Sequence, residues 1–207
     1  MNMHLAFVAN DNSNSLLTCH STNGTDWSDN KKVGNESSKT APTLSYFSSG
    51  PRPFTLGFIA NNPHDSLLTS YSSNGQDWSV DNPVRSPSRS QSSKCPPALA
   101  VYQNKLWIAF VANNDTKQLL VCNSSNGTDW TDDIPVRNPS RSQSSKRAPA
   151  LAVYQNKLWI AFVANNDTKQ LLVCNSSNGT DWSNDIPVKN PSQSQSSKAT
   201  PALLAHA

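Results

Sequence analysis

The chain has 207 residues, of which 15% are charged, with a net charge of +3 at pH 7. That balance is too weak to argue for nucleic acid, and an abundance of Ser, Asn and Thr suits hydrogen bonding to uncharged partners. No apolar run is long enough for a membrane-spanning helix, and the opening MNMHLAFVAND lacks the basic start and long apolar stretch of a signal peptide. The expectation is a soluble chain, cytoplasmic or released without a classical signal.

In chain order, residues 3–10 (MHLAFVAN) read as one apolar strand, and a polar turn at 20–27 (HSTNGTDW) follows a second. The turn recurs at 71–78 (YSSNGQDW), 123–130 and 175–182 (both NSSNGTDW), so that Trp27, Trp78, Trp130 and Trp182 fall 51, 52 and 52 residues apart. A fixed period of this length marks a repeat architecture. The clearest copy is 97–148, and the next differs from it only at residues 183, 184, 189, 193, 199 and 200. Within it ALAVY, LWIAFVA and QLLVCNS read as strands separated by the turns QNK and NNDTK. The fourth run, WTDDIPV, carries a proline that demotes it to a sheet edge.

No segment shows a 3.6-residue apolar period, and proline occurs 14 times, so the fold class is all-β. Four short antiparallel strands per repeat are the unit of a β-propeller. The opening strand aligns with the second strand of a repeat, and TPALLAHA at 200–207 aligns with the first. The expected architecture is therefore one domain over 1–207, with blades at 1–39 plus 200–207, 40–95, 96–147 and 148–199. The N- and C-terminal strands would share one blade, which hides sheet edges. The alternative is two chains swapping these strands into an eight-bladed ring. Cys19, Cys122 and Cys174 share one repeat position with Ser70, too dispersed to pair, and Cys95 stands alone.

NSSNGTDW resembles a degenerate Asp-box, the S-x-D-x-G-x-x-W turn of sialidase-type propeller blades. Gly127 and Trp130 fit its glycine and aromatic positions, while Asn123 and Ser125 replace the usual Ser and Asp. With PALAVYQNKLWIAFVANN, the repeat resembles the blades of sialidase-like and tectonin- or PLL-type propeller lectins over nearly the whole chain. The resemblance implies a turn that fastens the blade, with Ser and Asn bonding back to its amides and the Trp covering the gap to the next strand.

A sialidase would need an arginine cluster with a Tyr and Glu pair, and other glycosidases two carboxylates. Glu36 is the only glutamate, and the aspartates are mainly repeated turn residues such as Asp129. No catalytic residue, cofactor or metal site is expected. His4, His20, His64 and His206 have no metal-ligand spacing, although His4 and His206 would become neighbours in the closing blade.

The expected function is a multivalent lectin for neutral or amino sugars, bound between or within blades. The alternative is a protein-interaction scaffold that presents the Ser- and Arg-rich loops before each SSK. The candidate binding residues lie on the face opposite the Trp turns: Asn10, Asn61, Asn113 and Asn165, with Lys39, Lys94, Lys146 and Lys198 from SSK. Trp107 and Trp159 join them because the same column holds His4 and Thr55 in the other repeats. Such variety argues for a rim position. Tyr102 and Tyr154 read as packing.

Overall fold

The computed structural model describes residues 2–86, 89–138, 141–191 and 193–205. These are all-β, in antiparallel sheets, with no helix. Sheet 1 holds β1 (Met3–Val8), β2 (Ser15–Ser21) and β3 (Lys31–Ser37). Sheet 2 has four strands, β4 (Thr43–Tyr46), β5 (Phe54–Ile59), β6 (Leu67–Ser72) and β7 (Asn82–Pro83), followed by a ribbon of β8 (Arg85–Ser86) and β9 (Arg89–Ser90).

Sheet 3 repeats the plan with β10 (Ala98–Tyr102), β11 (Lys105–Val111), β12 (Leu119–Ser124) and β13 (Ile134–Pro135), then the ribbon β14 (Arg137–Asn138) and β15 (Arg141–Ser142). Sheet 4 follows with β16 (Ala150–Tyr154), β17 (Lys157–Val163), β18 (Leu171–Ser176) and β19 (Ile186–Pro187), and the ribbon β20 (Lys189–Asn190) and β21 (Gln193–Ser194).

The local chemistry explains this plan. Gln103 and Asn104 sit at φ 48° and 55°, which makes the β10–β11 loop a two-residue turn of the twist that tight hairpins favour. The outer strands stop at Pro83, Pro135 and Pro187, because proline cannot donate to a further ladder. Register is conserved, with His4 opposite His20, Thr55 opposite Tyr71, Trp107 opposite Asn123 and Trp159 opposite Asn175.

The core lies between sheets. Leu16 and Val33 of sheet 1 meet Leu56, Phe58 and Leu68 of sheet 2. Ile59 and Leu67 of sheet 2 meet Leu106, Ile108 and Phe110 of sheet 3. Ala109, Val111 and Val121 of sheet 3 meet Leu158, Ile160 and Phe162 of sheet 4. Each strand thus shows one face to the sheet before it and the other to the sheet after it, as the alternation of a pleat allows. That is why the middle strands are apolar on both faces.

Closure by the terminal strand is not seen among the described residues. Residues 201–205 form no strand, and sheet 1 keeps three strands. Leu203, Leu204 and Ala205 lie instead beside Ala152, Tyr154 and Trp159 of sheet 4. The physical reason is where the tail is delivered: Arg147 Nε donates to the Lys198 carbonyl at 2.9 Å, which roots the segment next to β16 rather than β1. His206 lies outside the described residues, so its expected approach to His4 does too. Pro87, Ser88, Pro139, Ser140 and Ser192 of the polar loops also lie outside them.

Candidate functional site

The Trp turns are satisfied from within. In the third repeat the Gly127 N–H donates to Ser124 Oγ at 2.8 Å, and Asn126 Oδ1 accepts the N–H groups of Thr128 at 2.9 Å and Asp129 at 2.8 Å. Asn126 Nδ2 then donates to Asp129 Oδ2 at 2.7 Å. The side chains that bond back are Ser124 and Asn126, one place after the Asn123 and Ser125 that the resemblance singles out. Gly127 sits at φ +82°, the left-handed conformation that glycine adopts without cost. Trp130 and Trp182 are 6% and 5% exposed and lie in the clusters that join their own sheet to the one before it. With its backbone amides and its Ser, Asn and Asp side chains paired, the turn fastens neighbouring sheets, while the indole Nε1 atoms of Trp130 and Trp182 are buried without a partner.

On the opposite face the structure brings three of the four Asn–SSK pairs together. The N–H groups of Asn61, Asn113 and Asn165 donate to the carbonyls of Ser37, Ser92 and Ser144 at 3.0, 3.2 and 3.1 Å. In return the N–H groups of Lys39, Lys94 and Lys146 donate to the carbonyls of Ile59, Val111 and Val163. Lys39 Nζ is tied further, donating to the Asn62 carbonyl and pairing with Asp65, both at 2.6 Å. Asn113 Nδ2 donates to Asp65 Oδ2 at 3.1 Å, and Asn165 Nδ2 to the Thr116 carbonyl at 3.5 Å. These residues staple one sheet to the next. Asn10 and Lys198 sit on the two outermost repeats, and no such bond joins them among the described residues.

Trp107 is not at a rim. It is 2% exposed, its ring lies over Gly179 of the next repeat, and its Nε1 donates to the Tyr102 carbonyl at 3.2 Å. The column tolerates His, Thr and Trp because it faces the neighbour's glycine, so the space depends on how closely two sheets approach. Trp159, in the same column of sheet 4, stays partly exposed. Tyr102 packs as expected, 3% exposed, with its hydroxyl 2.8 Å from the carbonyls of both Asn156 and Ser177, which share its single proton.

The groove between sheets 3 and 4 is polar and open, about 250 Å³, and is lined by Arg141, Gln143, Asn165, Asn166, Gln170 and Asp185 among others. Gln143 is 5% exposed, and its Nε2 has no hydrogen-bond partner. In the preceding groove the equivalent Gln91 donates from Nε2 to Asp133 Oδ1 at 3.0 Å. Near-identical sequences thus leave one groove self-satisfied and the other with an idle donor. Sequence reasoning missed Gln143 because it sits in the Ser-rich tract before SSK, where its burial leaves no trace in the pattern.

A second cleft, about 720 Å³, lies between sheets 1 and 2 and is lined by Asn2, His4, Leu44, Ser45, Tyr46, Phe54 and Asn74. Phe54 packs against His4 at 4.6 Å and Tyr46 at 5.1 Å. Burial and then the charge of His20 hold His4 below the usual histidine range. Elsewhere, burial and the nearby Asp81 charge push the Glu36 carboxyl up.

No protein-family model matches the chain, and no curated protein matches it. Solved structures do match. The BP39L lectin from Burkholderia pseudomallei aligns with a TM-score of 0.69 at 17% identity, over 92% of this chain and 52% of the lectin chain. An alpha-L-arabinanase from Penicillium chrysogenum aligns with a TM-score of 0.64 at 11% identity, over 91% of this chain and 63% of the other. An alpha-L-arabinofuranosidase from Fusarium graminearum gives 0.58 at 14%, over 83% and 57%. The chain spans roughly half to two thirds of these structures' lengths. They define its fold as propeller-type, a class that hosts both sugar binders and sugar-cleaving enzymes.

Proposed function

We propose that the protein is a non-catalytic lectin that binds a neutral or amino sugar in the grooves between neighbouring sheets, read as blades of a propeller whose Trp turns are degenerate Asp-boxes. The observation that carries this reading is Gln143, a buried amide donor without a partner in an open polar groove. Leaving such a donor unpaired costs about 1–3 kcal/mol, which a ligand hydroxyl would recover once the Gln143 amide turns outward into the groove. Asn166 and Gln170 offer further amides to a sugar's hydroxyl edge. The solved structures add support at the level of fold, since one is a lectin and others act on sugars.

A glycan array tests the reading. Binding to at least one saccharide is expected, with about a tenfold or greater loss in Gln143→Leu, the cost of one buried hydrogen bond at roughly 1.4 kcal/mol. Silence across the array, or full binding by that variant, overturns the site. The enzyme reading rests on Glu36, whose raised carboxyl is the state a general acid needs. Hydrolysis of aryl glycosides that disappears in Glu36→Gln would favour it, and no turnover is expected.

A further inference from the structure

We propose that two copies of this chain associate head to tail, residues 201–205 of each adding as the missing first strand to sheet 1 of the other. The inference stands on the interfaces within the chain and does not depend on sugar binding.

Three interfaces between successive sheets share one set of parts. A side chain of the second strand meets the glycine of the next repeat's turn: His4 at Gly75, Thr55 at Gly127, and Trp107 at Gly179. The turn's Trp reaches back onto the earlier sheet, and Asn–SSK bonds staple the opposite face. Each outer repeat carries half of a fourth interface. On sheet 1 the Gly24 turn meets no ring, only Met3 of its own repeat, and Trp27 is 42% exposed where Trp130 and Trp182 are buried. On sheet 4 Trp159 has no glycine turn above it, and Tyr154 is 48% exposed where Tyr102 is buried.

The strand count has the same asymmetry. Sheets 2 to 4 each begin with an inner strand, whereas sheet 1 begins at β1, which aligns with their second. The cleft beside β1 and β4 is where such a strand would lie, walled by His4, Leu44, Tyr46 and Phe54. The spare strand is the apolar PALLA of 201–205, which matches PALAV at 97–101 and 149–153. It is parked against Tyr154 and Trp159 of sheet 4, with Leu204 88% exposed.

Spare strand and empty slot are thus at opposite ends of the arc, and no sheet joins them among the described residues. A second copy presents the complementary end to each open face, a heterologous contact that two copies close. By equivalence with the pairs Ala98–Ala109, Leu99–Ile108 and Ala100–Trp107, Ala202 would face Ala6, Leu203 would face Leu5, and Leu204 would face His4. The exposed edge of β1 is thereby paired, as sheet edges require.

Native mass spectrometry of the 207-residue chain is expected to give twice the 22.5 kDa chain mass. A monomer overturns the proposal, whether the chain stays open or closes on itself. Leu5→Arg spoils the slot and Leu203→Arg spoils the tail, at side chains that are not buried within the chain, and each variant alone should be monomeric. Mixing the two leaves one junction with both sides intact, so dimer should reappear. Dimers in either variant alone, or none in the mixture, overturn the head-to-tail arrangement.

Discussion

Sheets 3 and 4 are built from almost the same residues, yet they are packed differently. Along β12 every residue from Leu119 to Ser124 is buried, while along β18 burial alternates, with Leu171, Val173 and Asn175 partly exposed. Trp107 and Tyr102 are buried, but Trp159 and Tyr154 are not. The difference is the presence of a following sheet. A repeat's own residues fix its strands and turns, whereas the burial of its forward face belongs to its neighbour, as in solenoids whose stability is a sum of repeat and interface energies.

The sharpest way to break this comparison is to truncate the paired tryptophans. Trp107→Ala should cost about 3–5 kcal/mol, because it empties a closed interface. Trp159→Ala should cost under about 1 kcal/mol at high dilution, where no following sheet covers the ring and only the tail at 203–205 lies beside it. Chemical denaturation measures both. If the two costs converge as protein concentration rises, the fourth interface is being filled by a second chain. Equal costs at every dilution would mean that Trp159 is already covered within one chain.

Glycines of the Trp turn give a smaller contrast. Gly179 and Gly24 sit at φ +78° and +82°, so alanine is strained at both by about 1–3 kcal/mol. At Gly179 the new Cβ would also overlap the Trp107 ring, whereas at Gly24 its nearest neighbour is Met3 Sδ at 3.7 Å. Gly179→Ala should therefore lower the unfolding midpoint clearly further than Gly24→Ala. Matching midpoints would show that backbone strain alone sets the cost.

What the sequence made legible follows the same division. The turns, the strand order, the proline-ended edge and the register of His4, Thr55, Trp107 and Trp159 are written in the repeat, since each depends on contacts a few residues away. In sequence the column of unlike residues has the look of a rim, because composition cannot say how near another sheet comes. Trp107 is buried instead, under a neighbour that the repeat does not encode, and the idle amide of Gln143 leaves no mark in the sequence because it arises from the fit of two sheets. Asn113 and Asn165 are ligand candidates by sequence, yet their amides hold the preceding repeat's turn.

The same column carries the smallest expected effect, on pH. His4 stands where Trp107 stands in sheet 3, but it faces Gly75, with its Nδ1 buried and unpaired. Burial first, and then His20, lower its pKa below the ordinary value of 6.5. A depressed histidine favours folding while it is neutral, so its contribution is present above pH 6.5 and is lost as pH falls below that value toward the folded pKa. The interface between sheets 1 and 2 should therefore loosen in mild acid, while that between sheets 3 and 4, with an uncharged Trp in the same place, should not. Hydrogen exchange at pH 7 and pH 5 should show faster exchange in β1 and β5 than in β11 and β17 on acidification. His4→Phe should abolish the difference; if it persists there, the acid sensitivity arises elsewhere.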